Sequence, residues 1–233
     1  MIFNDLLKFI ADPSNDYTGH SLDYIRICAI AIVLAIVIGI VVGTLVVRNP
    51  LASFIAINTS GLMRAIPVIA FLAAAIPLLG LGFLPALIAL IVLGIPPILL
   101  NTYTGIRGID PAMIDAARGM GMTGWQIVSR IQTPLVLPVI AAGVRTSAVQ
   151  IIATATLAAI IGAGGYGEYI YLGLREFDTT QLLAGALPVT ILALLAEVSL
   201  GWLQRVLTPA GLRVQEGDRV AGEVEEVAVA TRR

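Results

Sequence analysis

Three charges sit where charge is costly. Arg64, Arg145 and Glu197 lie inside long apolar stretches. An ionisable group in such a place faces a partner, a bundle interior or a wet cavity. Arg145 and Glu197 have opposite signs, so they can neutralise each other, line a path for a polar solute, or fix helix register. Arg64 is a second potential partner for Glu197. Another set is spaced along a polar segment: Asp110, Asp115, Ala116, Ala117, Gly121, Ile131 and Pro134. Its small residues allow a neighbouring backbone to approach closely. Met113, Met120 and Met122 beside them are flexible apolar fillers, suited to a partner's pocket or to ordinary interfacial packing. Tyr166, Tyr169 and Tyr171 could cage a quaternary ammonium by cation–π attraction. A belt of aromatics at a membrane interface explains them more simply.

Bond-making chemistry is not evident. The lone cysteine, Cys28, lies in an apolar run, and the lone histidine, His20, in a polar segment. One of each is too few for a metal site, so no metal and no catalytic residue are expected. The glycine-rich stretch Gly162-Ala163-Gly164-Gly165-Tyr166-Gly167 lacks the preceding strand and nearby lysine of a phosphate-cradling loop. It reads as a compact turn.

The elements that carry these residues follow from composition. Of 233 residues, 58% are apolar and 12% charged, and the mean hydropathy is +0.95. A soluble domain needs more charge on its surface, and a disordered chain has far fewer apolar residues. An integral membrane protein remains. The net charge of −1 gives no electrostatic case for nucleic-acid binding. The N-terminus has no basic stretch ahead of an apolar one, so no signal peptide is expected.

Charge-free runs mark the spans. Ile27 to Val47 is bracketed by Arg26 and Arg48, and Ala65 to Ile106 contains no charge and is long enough for parts of two spans. The densest Gly/Pro punctuation in the latter, Gly80 to Pro85, predicts its break. The chain therefore reads as all-α with five transmembrane helices, at about 24–47, 51–79, 83–106, 135–161 and 181–203. Arg64 falls inside the second, and Pro96-Pro97 should bend the third. Residues 1–23 form an extracytoplasmic N-terminal segment, in which Asn4 to Ala11 reads as a short amphipathic helix at the interface. Residues 24–205 form one transmembrane domain, and 206–233 a cytoplasmic disordered tail. The excess of Lys and Arg puts the N-terminus outside and both the 107–134 loop and the C-terminus inside.

Local rules parse that loop. Asp110 before Pro111 is a helix start, and Gly119 and Gly121 offer its stop. Thr123 with Gln126 is a capping box that opens a second short helix through Ile131. Pro134 is expected to end it and turn the chain into the fourth span.

The loop resembles the EAA loop of permease subunits from ATP-binding-cassette importers. The family pattern is Glu-Ala-Ala, three residues, Gly, nine residues, Ile, one residue, Leu, Pro. Here Asp115-Ala116-Ala117, Gly121, Ile131 and Pro134 hold those spacings, with Asp115 in place of Glu and Thr133 in place of Leu. The stretches Asn101 to Pro111, Pro134 to Ala148 and Leu157 to Leu174 resemble the osmoprotectant branch, which serves glycine betaine, carnitine or choline. The likeness covers roughly residues 22 to 204.

That resemblance implies a type I importer core like that of methionine permeases. It implies a coupling loop seated in a cytoplasmic ATP-binding subunit, which alone uses ATP and magnesium. It further implies a second permease copy or paralogue beside this multi-pass chain in the lipid of the inner membrane, and an extracytoplasmic solute-binding protein. Alternatives are a permease of this class for methionine or another small solute, a secondary transporter without an ATPase, and a membrane scaffold. No internal repeat supports the secondary transporter.

Overall fold

The structure, a computed structural model, describes residues 2–209; the expected disordered tail lies almost entirely outside them. Every regular element among the described residues is helical. The helices are α1 (Ile2–Ala11), α2 (Tyr17–Val46), α3 (Pro50–Ala65), α4 (Val68–Leu79) and α5 (Phe83–Arg107), followed by α6 (Pro111–Gly119), α7 (Gly124–Ile127), α8 (Thr133–Ala155), α9 (Tyr166–Glu176) and α10 (Thr179–Leu207). Four helical stretches are long and apolar enough to cross a membrane, or five when the bent pair α3–α4 counts as one span.

Helix α5 is the centre of the bundle, with α2 and α8 packed along it and α10 against α8 and α9. Lipid tails are as apolar as leucine, so close packing and interhelical hydrogen bonds must hold such helices together. A Cβ at Gly143 of α8 would lie 2.8 Å from the Pro97 carbonyl oxygen of α5, so only glycine permits that crossing. The buried Ser147 hydroxyl donates to the Gly94 carbonyl at 2.7 Å, close to the proline pair Pro96-Pro97. The Tyr24 hydroxyl donates from α2 to the Ile152 carbonyl of α8. On the outer side of α2, Val33, Val37 and Val41 repeat every four residues and stay exposed, an apolar stripe suited to lipid.

Two sequence expectations are corrected. The second span is not one helix over 51–79. It breaks at Ile66-Pro67 into α3 and α4, bent by 98°. Proline disfavours helical backbone in the residue before it, and Ile66 is extended at φ −75°, ψ 121°. Arg64 therefore sits exposed in the last turn of α3, at the break of this bent pair.

Pro134 does not turn the chain. Residues 124–161 form one continuous 38-residue helical stretch. A π-helical turn at Val128–Gln132 precedes Pro134, and its wider hydrogen-bond ladder takes in a residue that cannot donate. Gly162, Gly164 and Gly165 do form a turn, each at positive φ, and α9 starts straight after it at Tyr166.

Candidate functional site

At one end of the bundle, α6 and α7 form a platform built by local capping. The Asp110 carboxylate accepts from the Ala112 backbone N–H at 2.8 Å, and Pro111 follows in the first turn. At the other end of α6, Met122 N–H donates to Ala117 O at 3.1 Å and Gly121 N–H to Arg118 O at 2.9 Å. These two bonds make a Schellman stop, which needs a left-handed residue. Gly121 supplies it at φ +80°. Next comes the Thr123–Gln126 capping box: Thr123 N–H donates to Gln126 Oε1 at 2.8 Å, and Gln126 N–H to Thr123 Oγ1 at 3.4 Å.

The platform presents apolar residues outward. Met120 is 75% exposed and Trp125 77%, with Met113 and Val128 also exposed. Asp115 and Ala116 are exposed and Ala117 is fully buried. Asp115 has only a surface contact, 3.5 Å to Arg118 Nη1. A cleft of about 280 Å³ opens between α6 and the base of the long helix, lined by Ile114, Arg118, Met122, Gly124, Ile127 and Val128. Ile131 and Pro134 are partly buried where the platform joins α8, so α7 and α8 form one rod.

The second feature lies along that rod. The Arg145 guanidinium pairs with the Glu197 carboxylate of α10, and its Nη1 also donates to Gln204 Oε1 at 3.4 Å. The pair expected from sequence is formed, and Arg64 has no part in it. It sits in the wall of an open groove of about 510 Å³, whose other lining includes Ala142, Thr146, Val149, Gln150 and Ala153. The pair is not sealed: its side chains are 38% and 41% exposed.

A third cluster at the opposite end was not legible as such. Tyr166 and Tyr169 are 6% and 4% exposed, so they are no interfacial belt; of the three tyrosines only Tyr171 lies open. Tyr17 stacks on Tyr169 at 5.7 Å and Tyr24 meets Tyr166 at 5.1 Å. Phe9 of α1 meets the Tyr169 ring edge-on at 5.5 Å. Tyr166 donates to Ser21 Oγ at 2.8 Å and Tyr169 to the Asn15 carbonyl at 2.5 Å. Burial, with Asp16 next in effect, pushes the Tyr169 phenol up to about 12. His20 Nδ1 faces Glu168 Oε2 at 3.6 Å across α2 and α9. The rings fill each other's faces and pin α1, α2 and α9 together.

The exposed platform is continuous with a helical stretch long and apolar enough to cross a membrane. The sequence profile of the inner membrane component of binding-protein-dependent transport systems matches residues 29–211. The chain belongs to that family.

Among relatives of this inner membrane component, the carnitine transport permease protein OpuCB of Listeria monocytogenes is 44% identical over 208 residues, covering 89% of this chain and 95% of its own. The glycine betaine/carnitine/choline transport system permease protein OpuCB of Bacillus subtilis is 37% identical, covering 90% and 97%. Among solved structures, an inward-facing conformation of the MetNI methionine ABC transporter superposes with a TM-score of 0.73 at 22% identity, over 85% of this chain and 99% of that one. The methionine-permease-like fold is thereby shown. In this permease the groove residues Thr146, Gln150 and Gln204 are ones that sequence reasoning missed. The signal available was two polar residues four apart, Thr146 and Gln150, on one face of an apolar helix.

Proposed function

We propose that this permease carries a quaternary-ammonium compatible solute (glycine betaine, carnitine or choline) into the cell, by alternating access driven by a separate ATPase. The observation that carries this reading is the 44% identity, over nearly the whole of both chains, to a carnitine permease. The platform geometry supports it. A partner that grips Met120 and Trp125 moves α7, and α7 is continuous with the helix that bears Arg145.

In this reading loop 107–134 and the C-terminus face the cytoplasm, and the N-terminal segment faces outward. ATP and magnesium act in the partner, and this chain contributes no catalytic residue and holds no cofactor. A second permease, identical or paralogous, completes the path, since five spans alone enclose little. An extracytoplasmic binding protein delivers the solute to the end that carries α9.

Reconstitution into proteoliposomes with the ATPase and the binding protein tests this. Labelled glycine betaine, carnitine or choline should accumulate only with ATP on the ATPase side and binding protein on the other. Uptake without ATP would favour a secondary transporter, and uptake of methionine alone would reject the solute class.

A further inference from the structure

We propose that the Arg145–Glu197 pair is a transit site for zwitterions, which opens so that Arg145 takes the solute's carboxylate and Glu197 its quaternary ammonium. This rests on the solute class proposed above and adds which residues meet the solute and which members of the class they favour.

The pair borders an open groove with room for a small solute. Pockets for small molecules generally span about 300–1,000 Å³. Removing one member of an ion pair within a membrane leaves the other uncompensated. A simple cation entering the groove could satisfy Glu197 only by stranding Arg145. A zwitterion replaces both partners at once and leaves the net charge of the site at zero.

The surroundings suit each half of such a molecule. Gln204, on the same groove wall, accepts from Arg145 Nη1 at 3.4 Å, so Arg145 keeps one partner when Glu197 lets go. A Cβ at Gly201 would lie 3.2 Å from Arg145 Nη1, so the bare backbone there lets the guanidinium lie against α10. Arginine offers a carboxylate two parallel N–H donors, which lysine cannot. A trimethylammonium has no N–H to donate. It is held by charge and by methyl contacts, for which Ala142, Val149 and Ala153 line the wall.

The test uses the complete importer in proteoliposomes, with uptake normalised to assembled complex. In Arg145→Gln the ratio of glycine betaine to choline uptake should fall at least tenfold, because choline has no carboxylate, and Arg145→Lys should restore part of that ratio. A purely structural pair would lower both solutes together, so an unchanged ratio overturns the proposal. A second measurement covers failed assembly of the variant. In the otherwise unaltered complex, with Cys28→Ser, an Ala153→Cys thiol should react with a methanethiosulfonate reagent at least fivefold more slowly in saturating glycine betaine than in sorbitol. Equal rates overturn the proposal. A parent complex that carries choline alone overturns it as well. A complex that carries another solute but none of these three removes the solute-class reading on which the proposal rests.

Discussion

The two ends of this permease treat large apolar side chains in opposite ways. At the platform end Met120 and Trp125 stand out in the open on short helices held by their own caps. At the α9 end Tyr17 and Tyr24 of α2 are folded onto Tyr166 and Tyr169 of α9. One end is stable without being covered and so is left free to be covered by a partner. The other closes on itself and makes a firm anchor. A lever needs both: a surface that can be gripped, and a fixed end against which movement is converted into opening.

Perturbing each end should break this contrast in different observables. The largest effect is expected at Gly121. Valine cannot hold φ +80° without strain of about 1–3 kcal/mol, and the α6 stop would unwind. Gly121→Val should cut ATP-driven uptake at least tenfold while the detergent-solubilised chain keeps its melting temperature, because the bundle core is untouched. At the anchor the order reverses. Tyr166→Ala removes a buried ring and its bond to Ser21, and should lower unfolding stability by about 3 kcal/mol or more, seen as an earlier thermal transition in detergent.

Tyr169→Phe deletes only the hydroxyl bond to Asn15 and should cost about 1 kcal/mol by the same assay. The parent has an alkaline signature too. The Tyr169 phenol keeps its proton up to about 12 in the fold, against an ordinary value of 10. Its contribution is complete below pH 10 and is lost as pH climbs from 10 towards 12. The melting temperature of the parent should fall over that window more than that of Tyr169→Phe. The smallest effect is expected at Asp115. Its contact with Arg118 is fully on the surface, so Asp115→Asn should change stability by less than about 0.5 kcal/mol. Any loss of uptake in that variant then reports on a partner contact.

The same contrast explains what could be read from sequence. The platform's start at Asp110, its stop at Gly121 and the Thr123–Gln126 box are bonds between residues at most five apart, so their chemistry is written locally. The tyrosine anchor joins residues 145 and 154 apart in the chain, Ser21 with Tyr166 and Asn15 with Tyr169, and no local rule brings those together. The Arg145–Glu197 pair spans a long separation as well. It was legible because two opposite charges at matching depths in a membrane have few other options. The Gly80–Pro85 punctuation is the break between α4 and α5, as its glycines predict. Ile66-Pro67 is a further break that no glycine marks, and Pro134 is no break, because the π turn before it absorbs the missing donor.

The central claim is that the 107–134 end is the surface a partner ATPase grips. It is tested most directly by thiol labelling of a Trp125→Cys, Cys28→Ser permease, alone and with the ATPase subunit added. Trp125 is 77% exposed, so the free permease should label fast and the complex at least tenfold more slowly. Equal labelling in a complex shown to be assembled would contradict the account.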